Sequence, residues 1–175
     1  MIATILAITL QLDQPKIESR PAVPYASIAL EVTMDTIGRA MPDHLPMVAK
    51  WMSDHHVAQA GAPFMRFVRV DMKKGLAIEV GFPVAKLVKG DAQVKTGTIP
   101  KGRYVTMIHH GPYQTLVEAN AKLQAFAKEK HLKFKMKKGP KGEEFVSRYE
   151  FYPTDPTQEP DASKWETRIA YMIAK

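Results

Sequence analysis

One order of elements occurs twice in this chain, and a duplication of that kind leaves few ways to fold. Tyr25 to Met34 (YASIALEVTM) reads as a strand, and between Thr36 and His56 the residues Ile37, Met41, Leu45, Val48, Ala49 and Met52 recur at helical spacing. Pro42 and Pro46 fall inside that pattern. An interior proline removes a backbone donor and crowds the preceding turn, so the regular helix is expected only from about Asp43 to Val57. Phe64 to Asp71 and Leu76 to Val84 then read as strands joined through Lys73-Lys74-Gly75, the kind of short polar turn that links antiparallel neighbours. The second half repeats the order. Ala92 to His109 is extended with a break at Pro100 to Gly102, and a helix follows from Pro112 to about Lys130 with Leu116, Ala119, Leu123 and Phe126 on one face. Arg148 to Tyr152 and Thr167 to Ile173 supply a closing hairpin. With the helices roughly seventy residues apart, the pattern is that of two copies of one unit, about 17–85 and 92–174. It predicts an α+β fold: duplicated β-α-β-β units sharing an antiparallel sheet, with helices on one face and the other face, or the crevice between the halves, free to hold a ligand.

Composition sets the outer bounds. The 175 residues are 45% hydrophobic and 25% charged, which suits a single well-cored domain over 14–175. Residues 1–13 are expected to form a leading strand or arm. The apolar run Met1 to Leu12 is too short to span a bilayer and lacks the basic region and cleavage site of a secretory signal, so no membrane partner is expected. Without cysteine the chain has no disulfide, thiolate metal site or cysteine nucleophile, which agrees with a cytoplasmic location. The net charge of +7 is concentrated in Lys128 to Lys141, expected to be a solvated helix end and loop. No helix-turn-helix, RNP-type aromatic motif or zinc spacing accompanies it, so specific nucleic-acid binding is not expected. The pairs His55-His56 and His109-His110 are adjacent in sequence and point apart in a regular element. No metal or other cofactor is therefore expected.

Six segments in order carry a more specific signal: QPKIESRPAVPY, AGAPFMRF, IEVGFPV, KGRYVTMIHHGPY, YEFYPTDP and WETRIAYMIA. Together they resemble the GyrI-like effector-binding domain, a family of ligand-binding parts of multidrug-sensing and AraC-type activators and of stand-alone proteins. The resemblance covers about Gln14 to Ala174. It implies a cleft between two halves with a glutamate on its wall, and the matching residue is Glu150. Where the first-half motif of the family ends in tyrosine this chain has Phe67, one hydroxyl fewer. Residues 1–13 offer no room for a helix-turn-helix, so a self-contained transcription factor is not expected.

Alternation along a strand puts Arg148, Glu150 and Tyr152 on one face and Tyr149 and Phe151 on the other. Tyr149 and Phe151 are expected beneath the helices, which leaves Glu150 and Tyr152 on an open, cleft-facing side opposite Met65 and Phe67. The resemblance adds Tyr104, Tyr113 and Trp165 as cleft walls. A carboxylate among aromatic rings suits a lipophilic cation. It also suits acid/base work, with Glu150 activating water and Tyr152 positioning it. Spacing alone equally allows a structural glutamate paired with Arg148 or Arg168. Glu79 is expected in a structural ion pair. With these residues the resemblance implies one of three functions: a stand-alone small-molecule-binding protein, a hydrolase of small electrophilic compounds using Glu150 and Tyr152, or a gyrase-inhibitor-like or transcription-related module with an unknown protein partner.

Overall fold

The computed structural model describes residues 13–174. The arm expected over residues 1–13 therefore lies almost wholly outside the described residues. Ten strands and two helices follow in order. The first half comprises β1 (Lys16–Arg20), β2 (Val23–Val32), α1 (Ile37–Asp54), β3 (Phe64–Asp71) and β4 (Gly75–Pro83). The second comprises β5 (Lys95–Ile99), β6 (Gly102–His110), α2 (Leu116–Glu129), β7 (Met136–Gly139), β8 (Gly142–Phe145), β9 (Arg148–Phe151) and β10 (Glu166–Met172).

The duplication is visible in the pairing. The sheet runs β1-β6-β10-β9-β3-β4-β2-β5, antiparallel throughout, and reads the same from either end when each strand is exchanged for its counterpart in the other half. The seam is β3 against β9, with Met65 opposite Glu150. Each half also lends its leading strand to the other: β1 pairs with β6, and β5 with β2. Only Pro21-Ala22 joins β1 to β2, and only Pro100-Lys101 joins β5 to β6. Two residues span about 7 Å, so the two ends of the sheet must lie near each other and the sheet must curl.

Both helices cover the same face. Val48, Trp51 and Met52 of α1 pack on Ala26, Ile28 and Val84, while Leu116, Ala119 and Leu123 of α2 pack on Val105, Met107, Ile169 and Tyr171. Curling encloses the opposite face as well. There Tyr25, Phe64, Ile99, Tyr104, Tyr149 and Met172 form a separate core. Glu79 belongs to that side, where its carboxylate accepts from Arg66 and from the Tyr25 hydroxyl, both at 3.0 Å, in the expected structural ion pair.

Two sequence expectations need correction. The first concerns α1, which begins at Ile37 and runs through Pro42 and Pro46. Both prolines, and Gly38 at the start of the run, face solvent. The carbonyls they leave unpaired, those of Gly38 and Pro42, are thus open to water, and the break is tolerated where a buried one would not be. The second concerns the basic segment, which closes α2 and continues as a loop as expected but then forms a strand, β7. Lys137 and Lys138 lie in the β7–β8 hairpin and pair with Glu144 and Glu143, while their side chains stay exposed. No helix among the described residues is long and apolar enough to cross a membrane.

The placement of Pro46 inside a helix makes a stability prediction. Alanine there restores a donor to the Pro42 carbonyl, while the loss of proline's stiffness frees the unfolded chain. The first effect is about 3 kcal/mol and the second about 1, so Pro46→Ala should stabilise the protein by about 2 kcal/mol in denaturant unfolding. Unchanged or lower stability would contradict an interior helical position.

Candidate functional site

Two rows of side chains on the helix-covered face build the site. One contains Met107, Ile169, Glu150 and Met65 in register, and the next contains Val105, Tyr171 and Arg148, with the Phe67 ring against Arg148. Strand alternation thus delivers a carboxylate to the middle of an apolar row, at the seam of the two halves. Glu150 is only 4% exposed.

Burial demands that its oxygens be satisfied, and both are held by neutral donors. The Asn120 amide donates to Oε1 at 2.8 Å and the Tyr152 hydroxyl to Oε2 at 2.7 Å. Asn120 is fixed in turn: its amide nitrogen also donates to the Leu116 carbonyl at 2.8 Å, and its Oδ1 accepts from the Tyr171 hydroxyl at 2.7 Å. The roof is aromatic. The Tyr113 ring stands edge-on to Tyr152 with centroids 5.4 Å apart, and Trp165 lies 4.7 Å beyond it. Both roof residues are half-buried. The Trp165 indole donates to the Glu159 carbonyl at 2.8 Å, and the Gly111 N–H donates to the Trp165 carbonyl at 2.9 Å.

Neither arginine expected as a partner forms an ion pair with Glu150. Arg168 pairs with Glu166, next to it on the surface. Arg148 lies on the same face as Glu150, but its guanidinium stacks among rings, 4.5 Å from the Phe67 centroid, 4.7 Å from Tyr171 and 5.2 Å from Phe145. Phe67, where the resemblance implied a tyrosine, is thus one wall of a cation–π box occupied by the protein's own arginine.

The expected face was inverted. Glu150 and Tyr152 were read as lying on an open side with Tyr149 and Phe151 under the helices, yet α2 packs over Glu150 and Tyr152, and Tyr149 belongs to the opposite core. Alternation identifies which residues share a face. It cannot say which face the helices take when curling buries both. Of the expected site residues, Glu150, Tyr152, Met65, Phe67, Tyr113 and Trp165 come together. Tyr104 does not: it sits in the opposite core, bonded to the Pro100 carbonyl at 2.6 Å and to Ser147 at 3.2 Å. Asn120 and Tyr171 were missed. Asn120 lies four residues after Leu116 and so on the buried stripe of α2, a polar residue where the pattern calls for an apolar one, which is the signal that could have found it.

An open depression of about 390 Å³ lies elsewhere, along β1, lined by charged residues that include Lys16, Glu18, Arg20 and Arg168. Glu150 and Tyr152 are both buried, so a ligand that reaches the carboxylate must displace side chains that cover it. No group of three or more metal-ligating side chains occurs among the described residues.

Fold and site together define a duplicated α+β domain with an aromatic-lined buried carboxylate. The chain belongs to the GyrI-like small molecule binding domain family, whose model matches residues 13–170. Among solved structures it is similar to the C-terminal domain of EcmrR, with 18% identity and a TM-score of 0.73 over 93% of this chain and 98% of that one. It spans 57% of the EcmrR chain seen in a complex with DNA. A hydrolase from Listeria innocua is similar at 15% identity and a TM-score of 0.62, over 93% of this chain and 92% of that one. SAV2435, solved bound to tetraphenylphosphonium, is similar at 10% identity and a TM-score of 0.53, over 92% and 94%. At these identities the likeness shows the fold. No curated protein matches the chain.

The network has a signature in alkaline solution. Burial, then the neighbouring Glu150 charge, raises the Tyr152 phenol well above its ordinary value, and burial pushes Tyr171 and Tyr25 up to about 12. Each stays protonated in the folded state while the unfolded chain ionises. The stability they contribute is therefore whole below about pH 10 and is lost as pH climbs through the folded values. Phenolate absorbance should rise together with unfolding measured by circular dichroism; free titration of Tyr152 in folded protein near pH 10 would contradict the arrangement. Asn120→Leu, which strands Glu150 Oε1 and the Tyr171 hydroxyl, should cost about 2 to 4 kcal/mol in denaturant unfolding.

Proposed function

We propose that this domain captures lipophilic cations, holding the positive charge against Glu150 and the apolar groups against Tyr152, Met65, Tyr113 and Trp165. One observation carries the reading: a carboxylate 4% exposed, held among the described residues by neutral donors alone, beside aromatic rings. A buried charge without an ion-pair partner is costly, and a cation brought by the ligand offsets that cost. The aromatic faces add attraction of the same sign. That SAV2435 was solved with tetraphenylphosphonium supports this choice of ligand class by analogy of fold. Entry is between Tyr113 and Trp165, the half-buried pair that covers Tyr152. On this reading the protein acts on small molecules in the cytoplasm and needs no specific nucleic-acid contact, and the lysines of the β7–β8 hairpin serve solvation.

The test is calorimetric titration with tetraphenylphosphonium and with neutral triphenylphosphine oxide, on the natural protein and on Glu150→Gln. A charge pair about 6 Å apart at an effective dielectric of about 20 contributes about 3 kcal/mol, so Glu150→Gln should weaken the cation by about tenfold to a hundredfold. The neutral compound should be nearly unaffected. Equal weakening of both, or of neither, would return Glu150 to a structural role.

The 2.7 Å bond between Tyr152 and Glu150 favours a second reading, a hydrolase in which Glu150 takes a proton from water and the Tyr152 hydroxyl stabilises developing charge. If so, Tyr152→Phe should slow turnover of an electrophilic substrate at least about a hundredfold. A pure binder would keep its affinity through the retained ring.

A further inference from the structure

Beside the Glu150 row lies a pair of buried polar atoms that the ligand reading has not used. His109 on β6 stands directly opposite Thr167 on β10, one step along the strands from Met107 and Ile169 and on the same face. Both residues are 0% exposed. Among the described residues His109 Nδ1 and Thr167 Oγ1 each lack a hydrogen-bond partner, and they do not bond each other. Arg148 Nε, in the adjoining row, is a third such atom. Buried polar side chains normally find partners, so unsatisfied atoms in the rows on either side of Glu150's mark a place able to receive polar groups from outside.

The protonation pattern at His109 follows from its neighbours. The Thr115 hydroxyl spends its hydrogen on the Pro112 carbonyl at 2.7 Å, so the hydrogen in the 2.9 Å contact between Thr115 Oγ1 and His109 Nε2 comes from the ring. Nε2 is then the donor, and Nδ1 carries a bare lone pair. Burial lowers the pKa of the imidazole, which keeps it in this neutral form. The ring is also held in place from behind: Gly111, at φ 140°, lets the chain turn so close that a Cβ there would lie 3.2 Å from His109 Cε1.

We propose that His109 Nδ1 and Thr167 Oγ1 form a hydrogen-bond-accepting subsite next to Glu150, which makes the domain select cations that carry an N–H, protonated amines, over quaternary cations of the same size. The inference rests on the cation-binding reading of the Glu150 site and refines it. Glu150 supplies attraction to any positive charge, whereas Nδ1 rewards only a donor. Filling the acceptor with a methyl group leaves the lone pair buried and unpaired, the asymmetry that makes a missing donor expensive.

The probes are benzyldimethylammonium and benzyltrimethylammonium, equal in charge and differing by N–H against N–CH3. The natural protein should bind the first about tenfold or more tighter. His109→Phe should erase that preference while keeping affinity for the quaternary ion, and Thr167→Val should reduce it. Because His109→Phe changes a fully buried residue, the natural protein carrying nitrogen-15 histidine provides a readout independent of the substitution. Its His109 Nδ1 resonance should move upfield on adding benzyldimethylammonium, as a lone pair does on accepting a hydrogen bond, and stay in place with the quaternary ion. Equal affinities, a preference surviving both substitutions, or a stationary Nδ1 resonance would overturn the subsite and leave a water-bridged structural role. If tetraphenylphosphonium still binds in a Glu150-dependent way, only the subsite falls; if no cation binds with Glu150 dependence, the parent reading falls with it.

Discussion

A carboxylate is buried at the seam of two halves, and the neighbouring residues are arranged to tolerate it. Glu150 needs two donors, and Asn120 and Tyr152 supply them. Asn120 must itself be oriented, which the Leu116 carbonyl and the Tyr171 hydroxyl do. The position of α2 over β9 and β10 is thereby fixed by polar geometry as well as by the apolar contacts of Leu116, Ala119 and Leu123. A wholly apolar seam would be simpler and at least as stable, since a buried charge is rarely a net gain for folding. On the proposed reading, the charge of the ligand offsets that cost.

The duplicated fold explains why that spot is available. A sheet that reads the same from both ends has its centre where β3 meets β9, and each half brings its own helix to its own side of that centre. Exchange of the leading strands ties the ends together and curls the sheet. At that centre α2 reaches Glu150 through Asn120, and Tyr113 and Trp165 stack outward from Tyr152. Of the polar side chains on that face, Arg148 stacks on rings, and Asn120 and Tyr152 bond Glu150 directly.

The sequence was informative where period and order carry the information. The doubled β-α-β-β order, the shared antiparallel sheet, the helices on one face and the family resemblance were all readable. So was the sharing of a face by Arg148, Glu150 and Tyr152. What could not be read depends on three-dimensional closure. The face taken by the helices was inverted because a curled sheet buries both faces, and Tyr104, which the resemblance gave as a cleft wall, sits in the opposite core. The prolines of α1 were read as breaks because solvent exposure of the carbonyls they free is not visible in a linear pattern. The β7–β8 hairpin was hidden by its lysines, whose partners Glu143 and Glu144 lie across a turn. Arg148 was read as a partner for Glu150, yet the three rings that hold it come from β3, β8 and β10, far apart in sequence.

The central claim is that ligands enter the helix-covered face and meet Glu150. A crystal structure of the complex with tetraphenylphosphonium tests it most directly. The account predicts that Tyr113 and Trp165 part, that Tyr152 leaves Glu150, and that the phosphonium centre lies within about 6 Å of the freed carboxylate, close enough for an unscreened attraction. A ligand found instead on the opposite face, against Tyr25 and Tyr149, or in the charged depression along β1, with the Glu150–Tyr152 bond intact, would contradict it.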